Sequence, residues 1–193
     1  MKLGPSELQA SCDRALAHWD GHSPLWVFGY ASLIWKPEIE FDARLPVRVH
    51  GYHRRLCLRS IAYRGTPDAP GLVAGLDRGG SCAGVAFRLP GATVRRQFAL
   101  LWQREMFLNS YVPRWLPVRA GGSTFSALAF VINRHTPLYC SGLDEAELAT
   151  VLRTARGQKG SSLDYLEHTI AALKAEGLRD RGLERLARLA RKA

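Results

Sequence analysis

The chain has 193 residues, 47% of them apolar and 23% charged, which suits one globular domain with its own core and excludes a disordered or fibrous protein. No apolar run reaches membrane-spanning length, and the opening MKLGPSELQASCDRALAHW lacks a signal-peptide core, so a cytoplasmic protein without a membrane partner is expected. The net charge of +10 invites a nucleic-acid partner, yet the 27 basic residues, 22 of them Arg, are spread along the chain and concentrate only in the last helix, GLRDRGLERLARLARKA.

The N-terminal segment reads as a helix opening at a Ser6-x-x-Gln9 capping box. PLWVFGYASLIW (24–35) reads as a buried strand ending in a tight turn, and LPVRVHGYHRRLCLRS as a strand bent near Gly51. After the turn-rich loop AYRGTPDAPG, the stretch GLVAGLDRGGSCAGVAFRLP reads as a hairpin around Asp77–Ser81, with Gly79 and Gly80 in its turn. A helix is expected over about 92–110. A second hairpin follows, RWLPVRA and FSALAFVIN around a Gly-Gly-Ser turn, and helices complete the chain from about 143.

Strands filling the first two-thirds, one intervening helix and a helical end do not alternate as in a doubly wound sheet. The expected class is α+β, a small, mostly antiparallel, curved or closed β-barrel with flanking helices. A single domain is expected over 1–193, with a core over about 24–180 and the helices over 6–20 and 180–192 as appendages. Cys12, Cys57, Cys82 and Cys140 form no CxxC pair, which fits free thiols in a reducing compartment. His50 and His53 fall on opposite faces of a strand, and no phosphate-binding loop or dinucleotide fingerprint occurs, so neither metal nor cofactor is expected.

Three features point to chemistry. On the helix containing LLWQREMFLNSY, residues Val94, Phe98, Leu101, Trp102 and Leu108 form an apolar stripe, and Glu105 lies near its centre while Arg104 points away. A carboxylate in such surroundings gains proton affinity and can act as acid and base near neutral pH; a Glu satisfied by a core Arg fits the same pattern. The second feature is VFGYASLIW, whose small-residue turn would expose backbone N–H groups able to hold a carboxylate or an oxyanion. Ser32 there lacks the G-x-S-x-G context of a nucleophile. The third is GQKGSSLDYLEHT, where Ser161 or Ser162 caps a helix that carries Tyr165 in its first turns.

Six stretches in order, WVFGYASLIWKP, GYHRRL, YRGTPDAPGLVAGL, GVAFRLP, LLWQREM with YVPRWLPV, and ARGQKGSSLDYL, resemble the ChaC-like γ-glutamylcyclotransferases over roughly residues 24–180. The resemblance implies a cofactor-free barrel enzyme that converts a γ-glutamyl compound to 5-oxoproline, with glutathione yielding Cys-Gly. It implies Glu105 as the catalytic acid and base, a substrate-holding turn at Gly29, Tyr30, Ala31, Ser32, Leu33 and Ile34, and a further site Tyr at Tyr165. Arg64, in YRGTP, could pair with the substrate's distal carboxylate, lie in solvent, or bind its own loop's backbone. Ala31 stands where the family has Gly. A positive φ there would cost Ala about 1 kcal/mol, whereas a negative φ would only narrow the pocket. The open alternatives are a cyclotransferase for other γ-glutamyl amines or amino acids, and a basic nucleic-acid-binding protein.

Overall fold

The computed structural model describes residues 3–192. Five strands close a barrel: β1 (Leu25–Gly29), β2 (Ala43–Ser60), β3 (Gly71–Leu89), β4 (Tyr111–Ala120) and β5 (Ser123–Ile132), in the order β1-β3-β2-β4-β5. These neighbours are antiparallel, and β5 closes the barrel through the parallel pairings Val27↔Leu128 and Leu76↔Val131. The expected α+β class and closed sheet are therefore present. Helix α1 (Pro5–Ala15) precedes the barrel, and the short α2 (Ser32–Trp35) follows β1. Helix α3 (Val94–Leu101) links β3 to β4, and α4 (Glu145–Thr154), α5 (Ser162–Ala175) and α6 (Arg181–Lys192) end the chain.

The burial of β5 explains its apolar run. Ala127, Ala129 and Val131 join one buried cluster while Leu128 and Phe130 join another, so the period-2 alternation separates two apolar faces. The larger cluster takes in Phe28, Leu76, Val85, Phe87 and Val118 together with Leu152, Leu166 and Leu173 of the C-terminal helices. The second packs Cys12 of α1 and Val94, Phe98 and Leu101 of α3 against β1 and β5. The C-terminal helix, expected as an appendage, buries Leu183, Ala187 and Ala190 in the larger cluster, an i, i+4, i+7 stripe facing α4 and α5.

Two local readings are corrected. The N-terminal helix begins with Gly4 as N-cap and Pro5 in its first turn, and the Glu7 carboxylate accepts the Gly4 N–H at 2.7 Å, so Ser6 is already inside it. Asp77–Ser81 is no hairpin turn: β3 runs unbroken from Gly71 to Leu89. Gly79 and Gly80 both have positive φ, and they sit where His50 pairs with Ser81 and Tyr52 with Arg78, so two residues of β3 oppose Gly51 of β2. That is a bulge, which sharpens barrel curvature and uses the same glycine chemistry as a turn. Gly51 is the expected bend, at φ 83°.

Gly84 marks the tightest approach of β3 to β1. A Cβ there would fall on the Gly29 carbonyl oxygen and within 2.7 Å of the Phe28 ring. Gly84→Ala is expected to cost about 2 kcal/mol through overpacking, read as a lowered urea midpoint with an unchanged m-value.

Candidate active site

Helix α3 passes without a break into a π-helical turn, Trp102–Met106, which carries Glu105. Phe98, Leu101, Trp102 and Met106 anchor this segment in the second core cluster. A π turn inserts a residue into the helical register and recurs at functional sites. Here it brings Arg104 and Glu105 to one side. The Arg104 side chain, expected to point away, places Nε 2.8 Å from Glu105 Oε1. The approach lacks hydrogen-bond geometry, so Oε1 is ion-paired yet has no hydrogen bond. Glu105 is 12% exposed. Burial raises its proton affinity above the ordinary carboxylate range, Arg104 opposes that shift, and Glu38 adds to it.

The turn after β1 faces this pair. Ala31 has φ −149°, so it does not occupy the left-handed conformation that would favour Gly there. Ser32 and Leu33 open α2, and a helix offers no carbonyl of its own to its first N–H groups. The side chains of Leu33 and Ile34 are buried in the two core clusters, which leaves only their backbone for a ligand. Gly29 is needed for contact, since a Cβ there would lie 3.0 Å from the Phe87 ring. Two guanidinium groups brace the turn. Arg104 donates to Ser32 Oγ at 3.0 Å, to the Pro37 carbonyl at 3.2 Å and to the Lys36 carbonyl. Arg54 donates to the carbonyls of Tyr30 and Ala83 and pairs with Asp180 Oδ2 at 2.6 Å. Asp180 in turn accepts the Leu183 N–H at 3.1 Å, which ties the start of α6 to the turn.

Three phenols, the buried Tyr30 and Tyr165 and the partly buried Tyr111, sense the charge of Glu105. Tyr30 donates to the Phe130 carbonyl at 2.9 Å. Tyr111 and Tyr165 meet the backbone of Ala74: Tyr111 donates to its carbonyl at 3.4 Å, and the Tyr165 oxygen accepts its N–H at 3.2 Å. Burial pushes Tyr165 up to about 12, and Tyr30 and Tyr111 well above the ordinary phenol range, so all three are neutral donors at physiological pH.

Arg64 is 7% exposed, so it is no solvent-facing loop residue. Its guanidinium lies 5.8 Å from the Trp35 ring centroid and 5.6 Å from that of Tyr165, and it donates to the Ser161 carbonyl at 3.4 Å. Burial lowers its proton affinity; Asp164 opposes this, but that carboxylate accepts the Ser161 N–H at 2.8 Å as part of the α5 cap. The loop around Arg64 is packed backbone on backbone. A Cβ at Gly65 would lie 2.6 Å from the Ala69 carbonyl oxygen, and one at Gly157 would lie 2.6 Å from Gly65 N. Ser162, fully buried, donates to the Arg64 carbonyl at 3.1 Å and accepts the Leu72 N–H at 2.9 Å. Ser161, not Ser162, is the N-cap that places Tyr165 in the second turn of α5.

The fold thus gathers Tyr30, Ser32, Glu105, Tyr165 and, through the Tyr165 ring, Arg64. Tyr111, Trp35, Arg54 and Arg104 belong to the same constellation without having been singled out in the sequence. Tyr111 and Trp35 lie inside the matched stretches YVPRWLPV and WVFGYASLIWKP, which was the available signal. Among the described residues no three His, Cys, Asp or Glu side chains gather as a metal site needs.

Residues 25–193 match the family described as ChaC-like protein. The chain is 36% identical over 178 residues to a glutathione-specific γ-glutamylcyclotransferase of Escherichia coli K12, covering 92% of this chain and 77% of that one. It is 34% identical over 164 residues to the glutathione-specific γ-glutamylcyclotransferase of Schizosaccharomyces pombe, covering 74% of this chain and 79% of that one. The fold is similar to the crystal structure of a γ-glutamyl cyclotransferase specific to glutathione from yeast, with a TM-score of 0.81 at 22% identity, over 88% of this chain and 96% of that one.

Arg54 has a 3% exposed side chain and Asp180 a 26% exposed one, so removing the carboxylate strands a buried cation. Asp180→Asn is expected to lose on the order of 3 kcal/mol in urea unfolding, and adding Arg54→Met to it should restore part of that loss.

Proposed function

The chain belongs to the ChaC-like protein family, and from that premise we propose that it is a glutathione-specific γ-glutamylcyclotransferase. It releases 5-oxoproline and Cys-Gly from glutathione. The observation that carries the mechanism is the buried Glu105 carboxylate, held on a π turn opposite the Tyr30–Ser32 turn with its proton affinity raised.

The substrate supplies its own nucleophile. The α-nitrogen attacks the γ-carbonyl carbon, a C–N bond forms to close the five-membered lactam, and the C–N bond to the cysteine breaks. Two protons leave the α-ammonium nitrogen on its way to the lactam N–H, and two reach the amine released on Cys-Gly. One carboxylate within reach of both nitrogens can take and return them, best with a pKa raised toward the working pH. Because the attack is intramolecular, the protein's task is to hold the γ-glutamyl arm in a ring-like conformer.

The N–H groups of Ser32 and Leu33 are suited to the α-carboxylate or the oxyanion formed at the γ-carbonyl. Tyr165 is a second donor: its oxygen already accepts the Ala74 N–H, which leaves its own proton for the ligand. Arg64 is matched to the distal glycine carboxylate, since what meets its guanidinium is two aromatic faces and one carbonyl. The net charge of +10 draws in a substrate that is anionic overall.

Incubation of the purified protein with glutathione and, separately, with γ-glutamyl-alanine, following 5-oxoproline by mass spectrometry, tests this reading. Turnover of glutathione is expected. Turnover of the dipeptide alone would keep the chemistry and change the substrate, and no 5-oxoproline from either would refute the activity. Glu105→Gln is expected to lower turnover by about 100-fold or more while melting at or above the wild-type temperature, because a buried charge is replaced by a neutral group. Near wild-type turnover in that variant would remove Glu105 from the mechanism.

A further inference from the structure

Arg104 makes more contacts around the proposed site than its sequence position suggests. From one guanidinium it reaches Glu105 Oε1 at 2.8 Å, Ser32 Oγ at 3.0 Å, the Pro37 carbonyl at 3.2 Å and Glu38 Oε2 at 3.2 Å, with the Lys36 carbonyl also bonded. It therefore joins the π turn to the whole segment from the start of α2 to Glu38. Its side chain is 21% exposed, so its charge is only partly screened by solvent.

Resting on the activity proposed above, we propose that Arg104 is a positioning residue: it fixes the distance between the Glu105 carboxylate and the Ser32 turn and balances the charge of that carboxylate. The planar fork suits the task, because one rigid group meets two carboxylates, a hydroxyl and two carbonyls at once, which a lysine ammonium on the same stem cannot do.

The electrostatic consequence has a definite sign. The groups acting on Glu105 are Arg104, which favours its ionised form, and Glu38, which disfavours it. Tyr30, Tyr111 and Tyr165 are neutral phenols in the same field. Glu38 is itself shared with Lys36 at 3.2 Å. With Arg104 neutralised, burial and Glu38 act unopposed and Glu105 titrates higher. An adjacent opposite charge lowers a carboxyl's pKa, so losing Arg104 moves the Glu105 titration upward.

The test is the pH profile of kcat/KM for glutathione, with kcat and KM separately, in wild type, Arg104→Gln and Arg104→Lys. Arg104→Gln is expected to move the acid limb up, losing more activity below the limb than above it. Arg104→Lys keeps the charge and loses the fork; an acid limb near wild type and a KM raised a few fold are expected. A purely structural role would lower activity equally at every pH, and an unmoved acid limb in Arg104→Gln, or a wild-type KM in Arg104→Lys, overturns the proposal. Carboxyl 13C titration of Glu105, assigned with Glu105→Gln, reads the same shift without substrate. If wild type makes no 5-oxoproline the activity fails, and the titration still decides Arg104: an identical Glu105 titration in wild type and Arg104→Gln overturns it.

Discussion

A carboxylate largely withdrawn from water needs its charge answered by its neighbours, and Arg104 does that for Glu105. The π turn carries it to a place where burial favours the protonated form and where Tyr30, Tyr111 and Tyr165 feel its charge. The neighbouring guanidinium opposes burial without cancelling it. On the proposed function, Glu105, a carboxyl whose proton affinity is raised, suits general acid and base catalysis. Its Oε1 has an ion-pair partner and no hydrogen bond, so part of its accepting capacity is unspent. In a purely structural Glu that would be a cost; beside a ligand it is capacity in reserve.

The arginines explain how so small a barrel holds its site still. Arg104 braces the Ser32 turn from the α3 side and Arg54 from the β2 side, and Arg54 passes the constraint to Asp180 at the start of α6. The C-terminal helix is thus coupled to the turn by one buried ion pair as well as by its apolar stripe. The high arginine content, which by composition alone invited a nucleic-acid partner, is in part an internal framework: Arg54 and Arg64 are buried cations whose partners are carbonyls, rings and one carboxylate. A guanidinium suits that duty because its donors diverge in one plane and its charge is weakly hydrated.

How far the sequence carried the argument follows from which features are local. The strands, the closed sheet and Glu105 on an apolar stripe were legible because periodicity reports burial directly. The position of Arg104 was not, since a helical wheel assumes 3.6 residues per turn and the π turn breaks that assumption one residue from the group of interest. Asp77–Ser81 was misread because paired glycines with positive φ serve a bulge as well as a reversal; only the partner strand decides, and Gly51 lies nearly thirty residues away. The Arg54–Asp180 pair joins residues 126 apart and has no sequence signature. The sign of φ at Ala31, open by sequence, is negative in the fold.

The Arg64 side of the site bears on selectivity by a different route. Its loop is packed backbone on backbone at Gly65, Gly71 and Gly157, and Ser162 donates to the Arg64 carbonyl. The cation is held where burial weakens it and the nearest carboxylate is committed to a helix cap. On the proposed function, a substrate ending in a carboxylate relieves that penalty, and a γ-glutamyl amine without one leaves it in place. Discrimination then rests on a buried cation without a paired carboxylate, which separates two substrates more sharply than an added apolar contact does. On the proposed function the same logic applies to Glu105, a carboxyl whose burial the substrate's groups would answer.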